Sequence, residues 1–99
     1  MTDDTTILNT EAVPNSKLIA MVLNWVNDVR KNTLQIPPID TLIRGTRREP
    51  KICPLALSLP GVKTDVFGSG KELSVIPFYV YEFLTRFHSG EIPELDENA

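Results

Sequence analysis

The chain predicts a small single-domain α+β fold with an N-terminal amphipathic helix, a short central helix, a β-hairpin and a C-terminal helix. Three observations lead there. Residues 16–31 carry apolar side chains at helical spacing. Residues 51–62 form a dense apolar run with two prolines and the single cysteine. Residues 62–75 alternate in polarity around Gly68-Ser69-Gly70. Ninety-nine residues suffice for one domain and leave little room for a second. The predicted layout is a flexible N-terminal arm at 1–14, a globular body at 15–90 and a disordered acidic tail at 91–99.

The first helix rests on the spacing of Leu18, Met21, Val22, Trp25, Val26 and Val29, at i, i+3, i+4, i+7, i+8 and i+11. Pro14-Asn15-Ser16 precedes it, and Asn or Ser can accept from the unpaired amides of the first turn. The Trp25 stripe reads as core; Ile19 and Leu23 on its flank would widen a binding face. Pro37-Pro38 then forces extended chain over 35–40. Ile39, Leu42 and Ile43 fit either a helical turn or a short strand.

The central segment is the organising element. Proline is tolerated in the first turn of a helix and damaging further in. Pro54 therefore starts a helix with Cys53 near its cap. Leu55, Ala56, Leu57 and Leu59 leave only Ser58 polar, and a helix apolar nearly all round is a buried one. Pro60-Gly61 ends it. So short a helix cannot stand alone in water and has to be held by its neighbours. In the hairpin, Val62, Thr64 and Val66 are placed on one face and Lys63, Asp65 and Phe67 on the other. Leu73 and Val75 alternate with Glu72 and Ser74 beyond the glycine link. That link joins strand to strand without a following Lys-Ser and helix, so it is a turn and not a phosphate loop. Pro77 opens the last helix, Val80, Phe83, Leu84 and Phe87 form its inner face, Glu82 and Arg86 pair outside, and Gly90 caps it.

Arg44-Gly45, Cys53-Pro54-Leu55-Ala56, Ser58-Leu59, the hairpin, and then Pro77, Val80, Phe83, Phe87, Gly90 and Pro93-Glu94-Leu95 together resemble a group of small proteins encoded by actinobacterial phages and their hosts. The resemblance covers about residues 40–95, and its more specific parts are the Cys-Pro-aliphatic-Ala step and the ending from Phe83 to Leu95. The group has no assigned activity. The resemblance implies a phage accessory protein that modulates its host inside a bacterial cell, and it supplies no catalytic residues.

The residues argue against catalysis. His88 is the only histidine and sits at a helix end, where a cation is favoured by the helix dipole, so a capping role is expected. One cysteine and one histidine cannot supply the four ligands of a structural zinc site, and no cofactor is expected. Cys53 at a helix N-terminus could be an activated thiol with His88 as base, but its apolar neighbours favour a buried structural cysteine. A lone cysteine and the lack of a signal peptide point to a reducing cytoplasm. The longest apolar run falls short of a membrane span.

Binding is the expected activity, and two surfaces are candidates. Five aromatic residues lie between 78 and 87, more than one face can bury. Phe78, Tyr79 and Tyr81 are the candidates for a partner-binding patch. Arg44, Arg47, Arg48 and Lys51 form a basic loop suited to an anion or an acidic partner, and loops of this kind are also commonly just solvated. Expected to be solvated, this loop would tolerate Arg47→Glu with Arg48→Glu. The acidic ends, with seven acidic residues and no basic one, flank a body holding all ten basic residues against six acidic ones. The expected partner is a bacterial or phage protein, met by a monomer or by a homodimer formed through residues 16–31. The alternative is a winged-helix-like DNA-binding regulator, with Lys63 and Lys71 on the wing and the basic loop on phosphates. Against it, the 54–59 helix offers only Ser58 to base edges, and the overall charge is −3.

Overall fold

The computed structural model describes residues 13–64, 66–68, 70–73 and 75–98. Most of the arm expected at 1–14, along with Asp65, Ser69, Ser74 and Ala99, lies outside the described residues. Helix α1 spans Asn15–Val29 and continues as a π-helical turn, Arg30–Leu34. A 3₁₀ turn, Pro50–Ile52, leads into helix α2, Pro54–Ser58. Strands β1 (Val62–Lys63) and β2 (Lys71–Glu72) follow, then helix α3 (Phe78–His88) and a second 3₁₀ turn, Pro93–Leu95. The α+β domain is therefore present. Among the described residues no helix is long and apolar enough to cross a membrane.

Of the six residues of the predicted stripe, helix α1 buries Leu18, Val22, Val26 and Val29, while Met21 and Trp25 are only half-buried; Trp25 packs against the core together with Ile19 and Leu23. Its cap differs from expectation. Pro14 occupies the cap position without a side-chain bond, its carbonyl accepting from the Leu18 amide at 3.0 Å. The Asn15 side chain instead donates to the Glu91 carbonyl at 2.6 Å. At the far end Gln35 takes the left-handed conformation, φ 56°, and its amide closes on the Arg30 carbonyl. The extended segment that follows is clamped to α1. Asn27 donates to the Ile39 carbonyl and accepts from the Ile39 amide at 3.0 and 2.9 Å. Leu42 is buried within this segment, which is neither helix nor strand.

Helix α2 is the buried plug. Cys53, Leu55, Leu59 and Ser58 are all 0% exposed. So buried a helix must have its polar groups satisfied. Ser58 Oγ accepts from the Ile43 amide at 3.0 Å, and the Ser58 carbonyl accepts from Arg30 at 2.7 Å. The plug shares one continuous core with the buried faces of α1 and α3. In α3, Val80, Phe83, Leu84 and Phe87 are buried as expected, and the Phe83 and Phe87 rings lie nearly parallel at 6.4 Å. Arg86 is a correction. Expected outside, it is 7% exposed and tied to Glu82 (2.8 Å), the Val13 carbonyl (2.6 Å) and Asn15 Oδ1 (3.1 Å). These bonds fasten the start of α1 to α3.

The strand pair runs parallel and not as the antiparallel hairpin expected, with Val62 opposite Lys71 and Lys63 opposite Glu72. Thr64 is the cause. Its Oγ1 accepts from the amides of Val66 and Phe67, both at 3.1 Å, which ends β1 after two residues and reverses the chain. Gly68 returns antiparallel beside Lys63. A second reversal through Gly70, at φ 139°, brings β2 parallel to β1. The same turn carries Phe67 from the assigned outer face into the core, at 2% exposure.

The C-terminal segment is the largest departure from expectation. Residues 91–98 are packed and not a solvated tail: Ile92, Leu95 and Asp96 are 1%, 7% and 6% exposed. Gly45 receives this segment, its amide donating to the Leu95 carbonyl and its carbonyl accepting from Glu97, at 2.9 and 3.0 Å. A Cβ at position 45 would lie 2.5 Å from the Ile52 carbonyl oxygen, so only glycine lets the 44–46 strand-like segment pass between the plug and the chain end. Ile92→Ala is predicted to lower the unfolding free energy by about 2–5 kcal/mol in a urea titration; a solvated tail would leave it unchanged.

Candidate functional site

The two candidate surfaces fare differently. The aromatic patch is built on the first turn of α3. Phe78 is 64% and Tyr81 37% exposed, three residues apart and hence on one side of the helix. Val75 precedes them at 76% exposure. Tyr79 separates from its neighbours: it is half-buried against the core, and burial together with the Asp28 carboxylate raises its phenol pKa. The exposed group is thus Val75, Phe78 and Tyr81. Val75 was not singled out from sequence; its place in an assigned strand hid it.

The basic loop is largely committed to the protein's own chain end. Arg47 Nε pairs with Asp96 Oδ2 at 3.1 Å, and Arg44 donates to the Asp96 carbonyl at 3.1 Å. Thr46 and Glu97 are joined at 3.1 Å. The other Asp96 carboxylate oxygen accepts from the Asn98 amide at 2.9 Å. Two of the four loop cations therefore hold the acidic segment, Arg47 by a carboxylate and Arg44 by a backbone carbonyl. Gly90 is the expected left-handed cap at φ 87°, and the Arg47 guanidinium lies beside it. The Glu91 amide closes the helix end onto the Arg86 carbonyl at 2.8 Å.

Arg48 and Lys51 remain without a side-chain partner among the described residues. They face different spaces. Arg48 borders a cavity of about 290 Å³ with Pro50, Val66, Leu84, Thr85 and His88. Lys51 shares a shallow cleft of about 460 Å³ with Lys63, Glu49 and Phe67.

His88 is not the cationic cap expected. Its Nδ1 accepts from the Arg48 amide at 2.7 Å, which requires that nitrogen to be unprotonated. Burial also lowers its pKa. The sign of the linkage is therefore opposite to that of a capping imidazolium. Stability is fully present above the unfolded-state value, near 6.5, and falls as the pH drops from there through the lower folded pKa. Arg48 itself stands at φ 64°, a left-handed conformation that costs a non-glycine residue about 1–2 kcal/mol.

Cys53 is fully buried. Burial raises its thiol pKa, against the opposing pull of the Ala56 and Leu55 amides at the start of α2. Among the described residues no hydrogen bond joins it to His88, and no group of three or more His, Cys, Asp or Glu side chains is placed to hold a metal ion. Comparison of the chain with family profiles, with curated proteins and with solved structures finds no match in any of the three.

The two arginines should separate on substitution. Arg47→Glu puts a second carboxylate beside the buried Asp96 and is predicted to cost about 2–4 kcal/mol in urea unfolding. Arg48→Glu should stay within about 0.5 kcal/mol of the parent. Equal, negligible effects would mean that the Asp96 contact contributes nothing to stability.

Proposed function

We propose that this protein is a non-enzymatic interaction module that docks on another protein through the Val75, Phe78 and Tyr81 face. The observation carrying the reading is Phe78, an aromatic side chain 64% exposed on the rigid first turn of a helix whose opposite side is core. A large apolar group held outward at fixed geometry loses little conformational entropy on binding, which is what an interface anchor requires. The resemblance to actinobacterial phage proteins suggests a bacterial or phage protein as the partner and the host cytoplasm as the setting, in an accessory, host-modulating role.

DNA binding draws support from Lys51 and Lys63 sharing one cleft. It is the weaker reading. Helix α2 is buried and has no face for a groove, and β1 and β2 pair in parallel and make no antiparallel wing.

Immobilised parent protein and a Val75→Ser, Phe78→Ser variant, compared on host lysate at near-physiological salt, test the proposal. The variant should keep the parent's stability to within about 0.5 kcal/mol and lose the captured partner. Equal capture by both proteins would defeat the proposal. A salt-sensitive shift of duplex DNA by the parent would move the assignment to nucleic acid.

A further inference from the structure

We propose that His88 is a pH-sensitive latch on the basic loop: protonation of its Nδ1 removes the acceptor of the Arg48 amide and frees the loop at Arg48 from α3. Nothing in this depends on the aromatic docking face.

The geometry is specific. The Arg48 amide reaches Nδ1 at 2.7 Å across forty positions of sequence, from the loop tip to the last residue of α3. An imidazolium carries a proton on that nitrogen, so two N–H groups would point at each other and the bond cannot survive. The turn held by this bond is also the one with a strained backbone, since Arg48 sits at φ 64°. Strain of that kind persists only where surrounding contacts impose it. Losing the bond lets Arg48 relax to ordinary backbone angles, so protonation and opening favour each other.

The surroundings of His88 decide the direction of the switch. The adjoining open depression is lined by Pro50 and Val66 from the loops and by Leu84 and Thr85 from α3, and the Phe87 ring stands edge-on to the imidazole at 5.2 Å. Among the described residues the one charged side chain in that lining is Arg48, a cation, and no carboxylate lines it to hold an imidazolium in place. Burial works in the same sense, lowering the histidine's pKa. The imidazole is therefore neutral and latched in neutral solution, and the latch releases on acidification, at a pH below the ordinary histidine value.

Release is local. Thr46 and Ile52 remain joined through the Thr46 amide and the Ile52 carbonyl at 3.0 Å, and Arg47 remains on Asp96, whose pairing involves no histidine. What changes is the Arg48 guanidinium, a loop cation without a protein partner among the described residues. Acidification would thus change how this one cation is presented while the domain stays folded.

Amide hydrogen exchange at Arg48, normalised to its intrinsic rate and followed from about pH 7.5 to about pH 5, tests the latch. Protection at Arg48 should fall about tenfold per pH unit below the His88 pKa, while protection of the Leu59 amide, bonded to the Leu55 carbonyl, does not fall in step. His88→Asn places a non-titrating oxygen near the position of Nδ1 and should keep Arg48 protected at both ends of the range. His88→Leu should leave it unprotected throughout. The proposal is overturned if Arg48 protection in the parent ignores pH while the imidazole titrates, or if His88→Asn loses protection on acidification as the parent does. Arg48 and Leu59 losing protection together would mean global acid unfolding, which also overturns it. Should His88→Leu fail to fold, the parent and His88→Asn profiles still decide.

Discussion

The structure depends on one constraint: a five-residue helix, too short to stand in water, is buried with its polar groups satisfied from outside. Arg30 from the π-helical turn, the Ile43 amide from the extended segment and the Gly45 strand-like segment all converge on residues 52–58. Each of these neighbours is irregular chain that would have little reason to be ordered alone. The plug gives them a surface to pack on, and they in turn close the plug's open ends. The long helices α1 and α3 lay their apolar faces on the same core.

A second layer of organisation is electrostatic. The basic loop and the acidic chain end, far apart in sequence, meet at Asp96. The pairing sets acidic Asp96 of the chain end against the basic loop of the body. It also changes what the loop can offer a partner, because Arg44 and Arg47 are already engaged and Arg48 is held by its backbone to His88. What stays presented is a small apolar face at the start of α3, where Phe78 on the helix and Val75 just before it carry the greatest exposure.

How legible this was in the sequence follows from which features are periodic. The α1 and α3 core faces have a helical repeat, and Pro54 and Pro60-Gly61 bracket the plug, so all three helices could be read. The parallel strand pair could not, because two-residue strands have no period and the reversal depends on one hydroxyl, that of Thr64, accepting two amides. The C-terminal segment was misread through its composition. Four acidic residues outweighed Ile92 and Leu95, whose burial depends on a cleft formed by residues remote in sequence. Arg86 and His88 were misplaced for a related reason. Burial of a guanidinium and neutrality of an imidazole are set by tertiary partners, here Val13, Asn15 and the Arg48 amide, that no local pattern announces.

The most direct measurement of the central claim uses Cys53, the single thiol, at the head of the plug. Its labelling rate by a thiol reagent, followed across increasing urea below the unfolding midpoint, reports whether the plug opens by itself or only when the whole domain unfolds. A scaffold buried on all sides predicts labelling whose opening free energy and urea dependence match those of global unfolding. Fast labelling in the absence of urea, or an opening that ignores urea, would mean that residues 53–59 are accessible in the native state and that the plug does not hold the domain together.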